Sequence, residues 1–146
     1  MPVSESIENL TTILYEVKVL TGDRRGAGTD ANVSIVLYGE KGNSGQPKTL
    51  QNNSNNFERG ATDVFGVECD DLGNLSKIRI GHDGTGFGSG WFLDKIYVTN
   101  PISGQQWVFL CGRWLDKHED DGQIVRELPA SQDGVASLPR MYFILL

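Results

Sequence analysis

From residue 15 to 19, and again from 31 to 38, apolar side chains fall at every second position: Tyr15, Val17 and Val19 in the first run, then Ala31, Val33, Ile35 and Leu37. A period of two places such residues on one face of an extended strand and does not fit the 3.6-residue period of a helix. Six further runs, 48–51, 61–68, 75–80, 92–99, 106–110 and 124–128, are each bounded by Gly, Asn, Asp or Pro, the residues that end strands and form turns. No stretch carries convincing helical periodicity. The pattern predicts an all-β chain, an eight-stranded antiparallel β-sandwich. A parallel α/β fold is disfavoured and a closed barrel is the lesser alternative.

A chain of 146 residues is enough for one domain with a single substantial core. The strands assign that domain to residues 13–128, after a polar, acidic lead-in over 1–12 that is expected to be flexible. Residues 129–146 form a tail closing on Met141-Tyr142-Phe143-Ile144-Leu145-Leu146. That end is too short to span a bilayer, and an edge strand, a contact with a neighbouring domain and a sticky tail all stay open. A net charge of -6 makes the surface as a whole repel nucleic acid, so contact with phosphates has to be local or bridged by a cation. The first fifteen residues lack the basic-then-apolar order of a secretory signal, and no apolar run approaches a membrane span, so the chain is expected to be soluble and cytoplasmic. Cys69 and Cys111 belong to no metal or redox motif and read as plain buried thiols.

Catalysis finds little support. His118 lies in Asp116-Lys117-His118-Glu119-Asp120-Asp121, which reads as a solvated acidic loop, and His82 beside Asp83 reads as a structural imidazole at a loop boundary. No Ser sits in a nucleophile elbow, no glycine run matches a phosphate loop and no HExxH occurs. The chain is read as a non-enzyme.

Calcium fits better, because it takes six to eight hard oxygens and accepts backbone carbonyls beside a few carboxylates. Three loops offer them: 23–30, 51–58 and 82–90. In a sandwich these loops can gather at one end and bring Asp30, Glu58 and Asp83 to a common rim, although each Asp also reads as a plain turn former. Arg24, Arg25, Lys41, Lys48 and Arg59 form a basic group beside them, which suits acidic headgroups. The 81–90 stretch holds Gly81, Gly84, Gly86, Gly88 and Gly90, so its backbone can turn tightly and present Phe87 at a tip as a membrane wedge. Phe57, Trp91 and Phe92 are read as core residues.

Several blocks closely resemble the PLAT, or LH2, domain family: Thr21-Gly22-Asp23 with Gly28-Thr29-Asp30-Ala31-Asn32-Val33, Phe57-Glu58-Arg59-Gly60, His82-Asp83 with Gly90-Trp91-Phe92-Leu93, and Cys111-Gly112-Arg113-Trp114-Leu115. The match covers roughly residues 13–128 and is most similar to the many-repeat members of inner-ear hair cells. The resemblance implies a non-catalytic sandwich that associates with anionic membrane lipid or a membrane-associated protein, the alternatives being a calcium-independent contact repeat of a larger multi-PLAT protein and the regulatory domain of a lipoxygenase or lipase. It also implies neighbouring PLAT repeats and a place peripheral to the membrane, in stereocilia if the hair-cell similarity holds. Carried over by position, it implies one calcium site from the Gly28 carbonyl, Asp30, Asn56 and Glu58, and a second from Asp83 with Asp23. The middle loop offers Asn where a tighter site would offer carboxylate, and position 84 is Gly, so calcium binding is expected to be micromolar or poorer.

Overall fold

The computed structural model describes residues 12–131, and all strands among them pair antiparallel in two sheets with no helix. The first sheet runs β5 (Thr62–Asp70), β1 (Thr12–Thr21), β7 (Trp91–Thr99), β8 (Gln106–Leu115). The second runs β3 (Gly42–Asn43), β2 (Val33–Gly39), β6 (Leu75–His82), β9 (Val125–Pro129), with β4 (Lys48–Thr49) also on β2. The alternating residues meet between the sheets: Tyr15, Val17 and Val19 from one side and Val33, Ile35 and Leu37 from the other are fully buried. Polar tips in this core are satisfied, as burial requires. The Leu72 N–H donates to the Tyr15 hydroxyl at 3.0 Å, and Trp91 Nε1–H donates to the Thr21 hydroxyl at 3.0 Å.

The sandwich departs from the sequence reading at several boundaries. Its ninth strand is the two-residue β3, which only pairs across a turn with the end of β2. Thr12 already belongs to β1, and Ala31 stays outside β2 because its N–H donates to the Thr29 hydroxyl at 3.1 Å. β8 continues to Leu115 instead of ending at 110. Gly112, with φ at +63°, stops nothing; the pairing jumps from Leu93↔Arg113 to Lys95↔Leu110, so the glycine forms part of a bulge. At the other end, the Ser131 N–H donates to the Val108 carbonyl at 2.8 Å, so residues 129–131 are part of the fold and not of a tail. The rest of the lead-in and the apolar C-terminal segment lie outside the described residues. Cys69 and Cys111 are half-buried instead of buried, and burial pushes both thiols up.

Because β1, β6 and β8 all run toward one end, the 22–32, 83–90 and 116–124 loops gather there with the 50–61 loop that enters β5. The opposite end holds the connections at 40–41, 71–74 and 100–105. Lys41 is on that opposite end, its N–H bonded to the Leu72 carbonyl and its Nζ 3.8 Å from Asp71. It therefore does not belong to the basic group at the loops.

Candidate functional site at the loop end

The 22–32 and 50–61 loops are held together through Phe57. Its ring is buried against Phe65 and Trp91, with ring centroids 5.5 and 5.4 Å away. Its backbone is left-handed, φ +61°, a conformation that costs a residue with a Cβ about 1–2 kcal/mol. Two bonds fix that backbone: Phe57 N–H donates to Asp63 Oδ2 at 2.9 Å, and Thr29 N–H donates to the Phe57 carbonyl at 3.0 Å. Gly28 lies directly on this turn, where a Cβ would come within 2.9 Å of the Phe57 oxygen and 3.1 Å of the Arg59 nitrogen. Gly28 thus packs on the backbone of 57–59, which includes Glu58, while Asp30 and Asn56 line one cleft beside it. Asp63 was not anticipated, yet it also accepts from Asn56 Nδ2 at 3.2 Å. Its signal is in the alternation, since a buried Asp on the inward face of 61–67 has to be serving a polar partner.

The 83–90 loop is anchored at its base and open at its tip. His82 is buried and structural: its Nδ1 accepts from Gly84 N–H at 3.0 Å, which leaves Nε2–H to donate to the Leu115 carbonyl at 2.8 Å. Asp83 accepts from the Asn32 N–H and side-chain amide at 3.1 and 2.8 Å, and from the Thr85 hydroxyl and N–H at 2.7 and 3.1 Å. The Thr85 hydroxyl, then Asn32, hold this carboxyl well below the usual carboxylate range. Its contribution to stability is therefore complete above the ordinary value near pH 4 and is lost as pH falls further toward the folded value. Replacing Asp83 with Asn is expected to flatten the fall of melting temperature below pH 4, as read by thermal scans in an acid series. An unchanged acid limb would show that these bonds do not couple to folding. Beyond this anchor, Gly86 and Gly88 take φ of +85° and +76°, and Phe87 between them is 97% exposed.

The charged residues divide differently from the sequence reading. Arg59 pairs with Asp23 at 3.0 Å, and Arg24 lies over the Phe92 ring at 3.8 Å, with Trp114 edge-on to that ring at 5.3 Å. Phe92 is buried, but in this side stack and not in the central core that holds Trp91. Arg25 is exposed in the 22–32 loop, and Lys48 is exposed on β4. The acidic loop is not merely solvated. Asp121 receives two guanidinium nitrogens of the buried Arg126 at 3.0 and 2.7 Å, and Arg113 bridges Asp120 and Asp121 at 2.6 and 3.0 Å. Arg126 holds Asp121, and Arg113 holds Asp120, below the ordinary carboxylate range. Its neighbour Lys117 reaches the Gly84 turn, a cation at the rim that the sequence reading missed.

Tested for calcium, these donors fit one site better than two. Asp30 and Asn56 line a small cleft of about 160 Å³ with Gln51 and Asn55, and among the described residues neither the Asp30 nor the Glu58 carboxylate is engaged by a hydrogen bond or ion pair. Of the expected second set, Asp23 pairs with Arg59, and Asp83 accepts from Asn32 and Thr85. Among the described residues no three Asp, Glu, His or Cys side chains converge, so any ion here would rely on amide and carbonyl oxygens.

The profile of the PLAT/LH2 domain matches residues 15–126. Lipoxygenase homology domain-containing protein 1 of Mus musculus is 46% identical over 125 residues, which is 86% of this chain and 6% of that protein. Polycystin-1-like protein 3 of Homo sapiens is 34% identical over 130 residues, 88% of this chain and 8% of the relative. The chain thus spans under a tenth of these relatives. Among solved structures, a coral 8R-lipoxygenase, described as activated by calcium through a C2-like domain, superposes with a TM-score of 0.70 at 29% identity, over 81% of this chain and 17% of the enzyme.

Proposed function

This chain belongs to the PLAT/LH2 domain family, and from that premise we propose that it is a non-catalytic docking module whose loop end contacts anionic membrane lipid, with weak calcium binding ordering the loops. The observation that carries this reading is Phe87, presented to solvent at a glycine-flanked tip on an anchored loop. A large aromatic left almost wholly in water is unfavourable unless something covers it, and an interface between headgroup and acyl chain does so. Arg24, Arg25 and Lys117 at the same end supply local positive charge on an acidic chain. The calcium activation described for the coral relative supports the metal part of the reading.

Co-sedimentation with phosphatidylserine-containing vesicles, in calcium and in chelator, tests the proposal. Binding that calcium strengthens is the expected result, and pelleting indistinguishable from pure phosphatidylcholine controls would overturn it. A second reading is favoured by the small share of its relatives that the chain covers and by its lack of a converging acidic triad among the described residues. In that reading the same fold is a calcium-independent contact repeat between domains of a longer protein. Asp30→Ala separates the two. At 1 mM calcium and a Kd of roughly 10–100 µM, mass action adds about 1.4–2.7 kcal/mol to the unaltered chain. The variant is expected to melt at the same temperature with calcium and with chelator. A calcium-induced rise that survives Asp30→Ala places the ion elsewhere.

A further inference from the structure

A sheet edge is a row of unpaired N–H and C=O groups, and folded proteins usually shorten, bulge, charge or cover it. Three of the edges here are managed in that way. β3 and β4 are two residues each, β9 is five residues ending in Pro129, and β8 is bulged at Gly112 and capped by Ser131. β5 is different. It is nine residues long, unbulged and without Pro or Lys, its charges are carboxylates alone (Asp63 turned inward, Glu68 and Asp70 at its far end), and it pairs with β1 in unbroken register from Thr12↔Asp70 to Leu20↔Thr62.

The direction of its open groups follows from two bonds. The Ala61 carbonyl accepts from Thr21 N–H, so odd-numbered residues turn toward β1, whereas the Val64 carbonyl accepts from Asn52 Nδ2 outside the sheet. Asn52 therefore covers the upper end, and below it the N–H and C=O groups of Gly66 and Glu68 face outward without a partner among the described residues. Gly66 leaves a gap on the outer face into which the Leu14 side chain leans. The resulting cleft, about 460 Å³, lies among Leu14, Val64, Gly66 and Pro101, with Leu14 59% and Val64 45% exposed. Glu16 and Glu68 share this face and Asp70 follows, and none of the three is in an ion pair among the described residues.

We propose that β5 is a strand-acceptor edge, and that its occupant is an extended peptide segment of a partner protein in which basic and apolar side chains alternate along one face, at positions i and i+2. The incoming backbone pairs with Gly66 and Glu68. An apolar side chain opposite Gly66 covers Leu14, and a Lys or Arg opposite Glu68 meets the acidic strip, so main-chain bonds supply affinity and the alternation supplies choice. This surface is lateral to the sandwich, and the inference stands apart from the membrane reading of the loop end.

The test is residue-resolved amide hydrogen exchange of the full chain with acetyl-Lys-Thr-Val-Thr-Lys-amide, whose Lys, Val and Lys share one face, as the lysine probe and acetyl-Glu-Thr-Val-Thr-Glu-amide as its glutamate counterpart. The lysine peptide at saturation is expected to slow exchange at Gly66 and Glu68 by about tenfold or more, and the glutamate peptide to leave it unchanged. Glu68→Lys, an exposed substitution whose folding is checked by its melting temperature, is expected to abolish the protection. Exchange at Gly66 and Glu68 that the lysine peptide does not slow, or that both peptides slow equally, overturns the proposal. Protection that rises with protein concentration in the absence of peptide also overturns it, by making a second copy of the chain the occupant.

Discussion

Replacing Phe57 with alanine is expected to lower the unfolding free energy by about 3–5 kcal/mol, the range for removing a buried aromatic ring from a packed core. The ring is 4% exposed and closes the loop end of the core against Phe65 and Trp91. Alanine recovers nothing from the backbone, because at φ +61° a Cβ is as strained as it was before. Glycine at the same position loses the same packing but regains about 1 kcal/mol of that strain, so Phe57→Gly is expected to be the less damaged of the two. Urea titrations read this order directly as two midpoints below that of the unaltered chain. The same substitution frees the turn on which Gly28 rests, so the alanine variant is also expected to lose any calcium-induced rise in melting temperature. A loss under 1 kcal/mol, or an alanine variant more stable than the glycine one, would mean that the turn is held by the Asp63 and Thr29 bonds alone.

How far the molecule was legible beforehand depended on whether a feature is carried by period or by partnership. Alternation at Tyr15, Val17 and Val19 and at Val33, Ile35 and Leu37 specified both the strands and the buried faces, because a period of two leaves no other way to collect those side chains. The glycine run specified an exposed tip at Phe87 for a similar local reason. Less legible were residue types with two physical uses. A Gly can end a strand or form a bulge, and Gly112 belongs to a bulge; an Asp can ligate an ion or hold a turn, and Asp83 holds the 83–85 turn while Asp23 pairs with Arg59. Lys41 is grouped with the loop cations in the sequence reading, although β2 runs away from the loop end and leaves it at the opposite one. The Arg113–Asp120–Asp121–Arg126 network was hidden for another reason: a run of carboxylates looks solvated until the flanking strands β8 and β9 turn their guanidinium groups, one of them buried, onto it. Composition records charges, not their neighbours.

Phe87 offers the cleanest separation of function from folding, because removing its ring is expected to leave stability within about 0.5 kcal/mol while weakening vesicle binding on the order of thirtyfold. The first half follows from its exposure of 97%, which leaves almost no packing to lose. The second follows from an insertion worth about 2 kcal/mol for a phenyl ring, converted at 1.36 kcal/mol per tenfold. Phe87→Trp should bind at least as well as the original, since indole prefers the interfacial region, and Phe87→Asp should bind worse than Phe87→Ala, because it adds a charge that the anionic surface repels. Salt separates the ring from the charges around it. Raising ionic strength weakens whatever Arg24, Arg25 and Lys117 contribute and leaves the apolar insertion in place, so the Phe87 variants should differ from the unaltered chain at high salt as much as at low. Vesicle binding that ignores Phe87 at both salt concentrations would remove this loop from the contact and leave the electrostatic group as its sole basis. A variant series ordered Trp, Phe, Ala, Asp would instead fix the orientation of the domain, with its loop end down and the β5 edge free at the side.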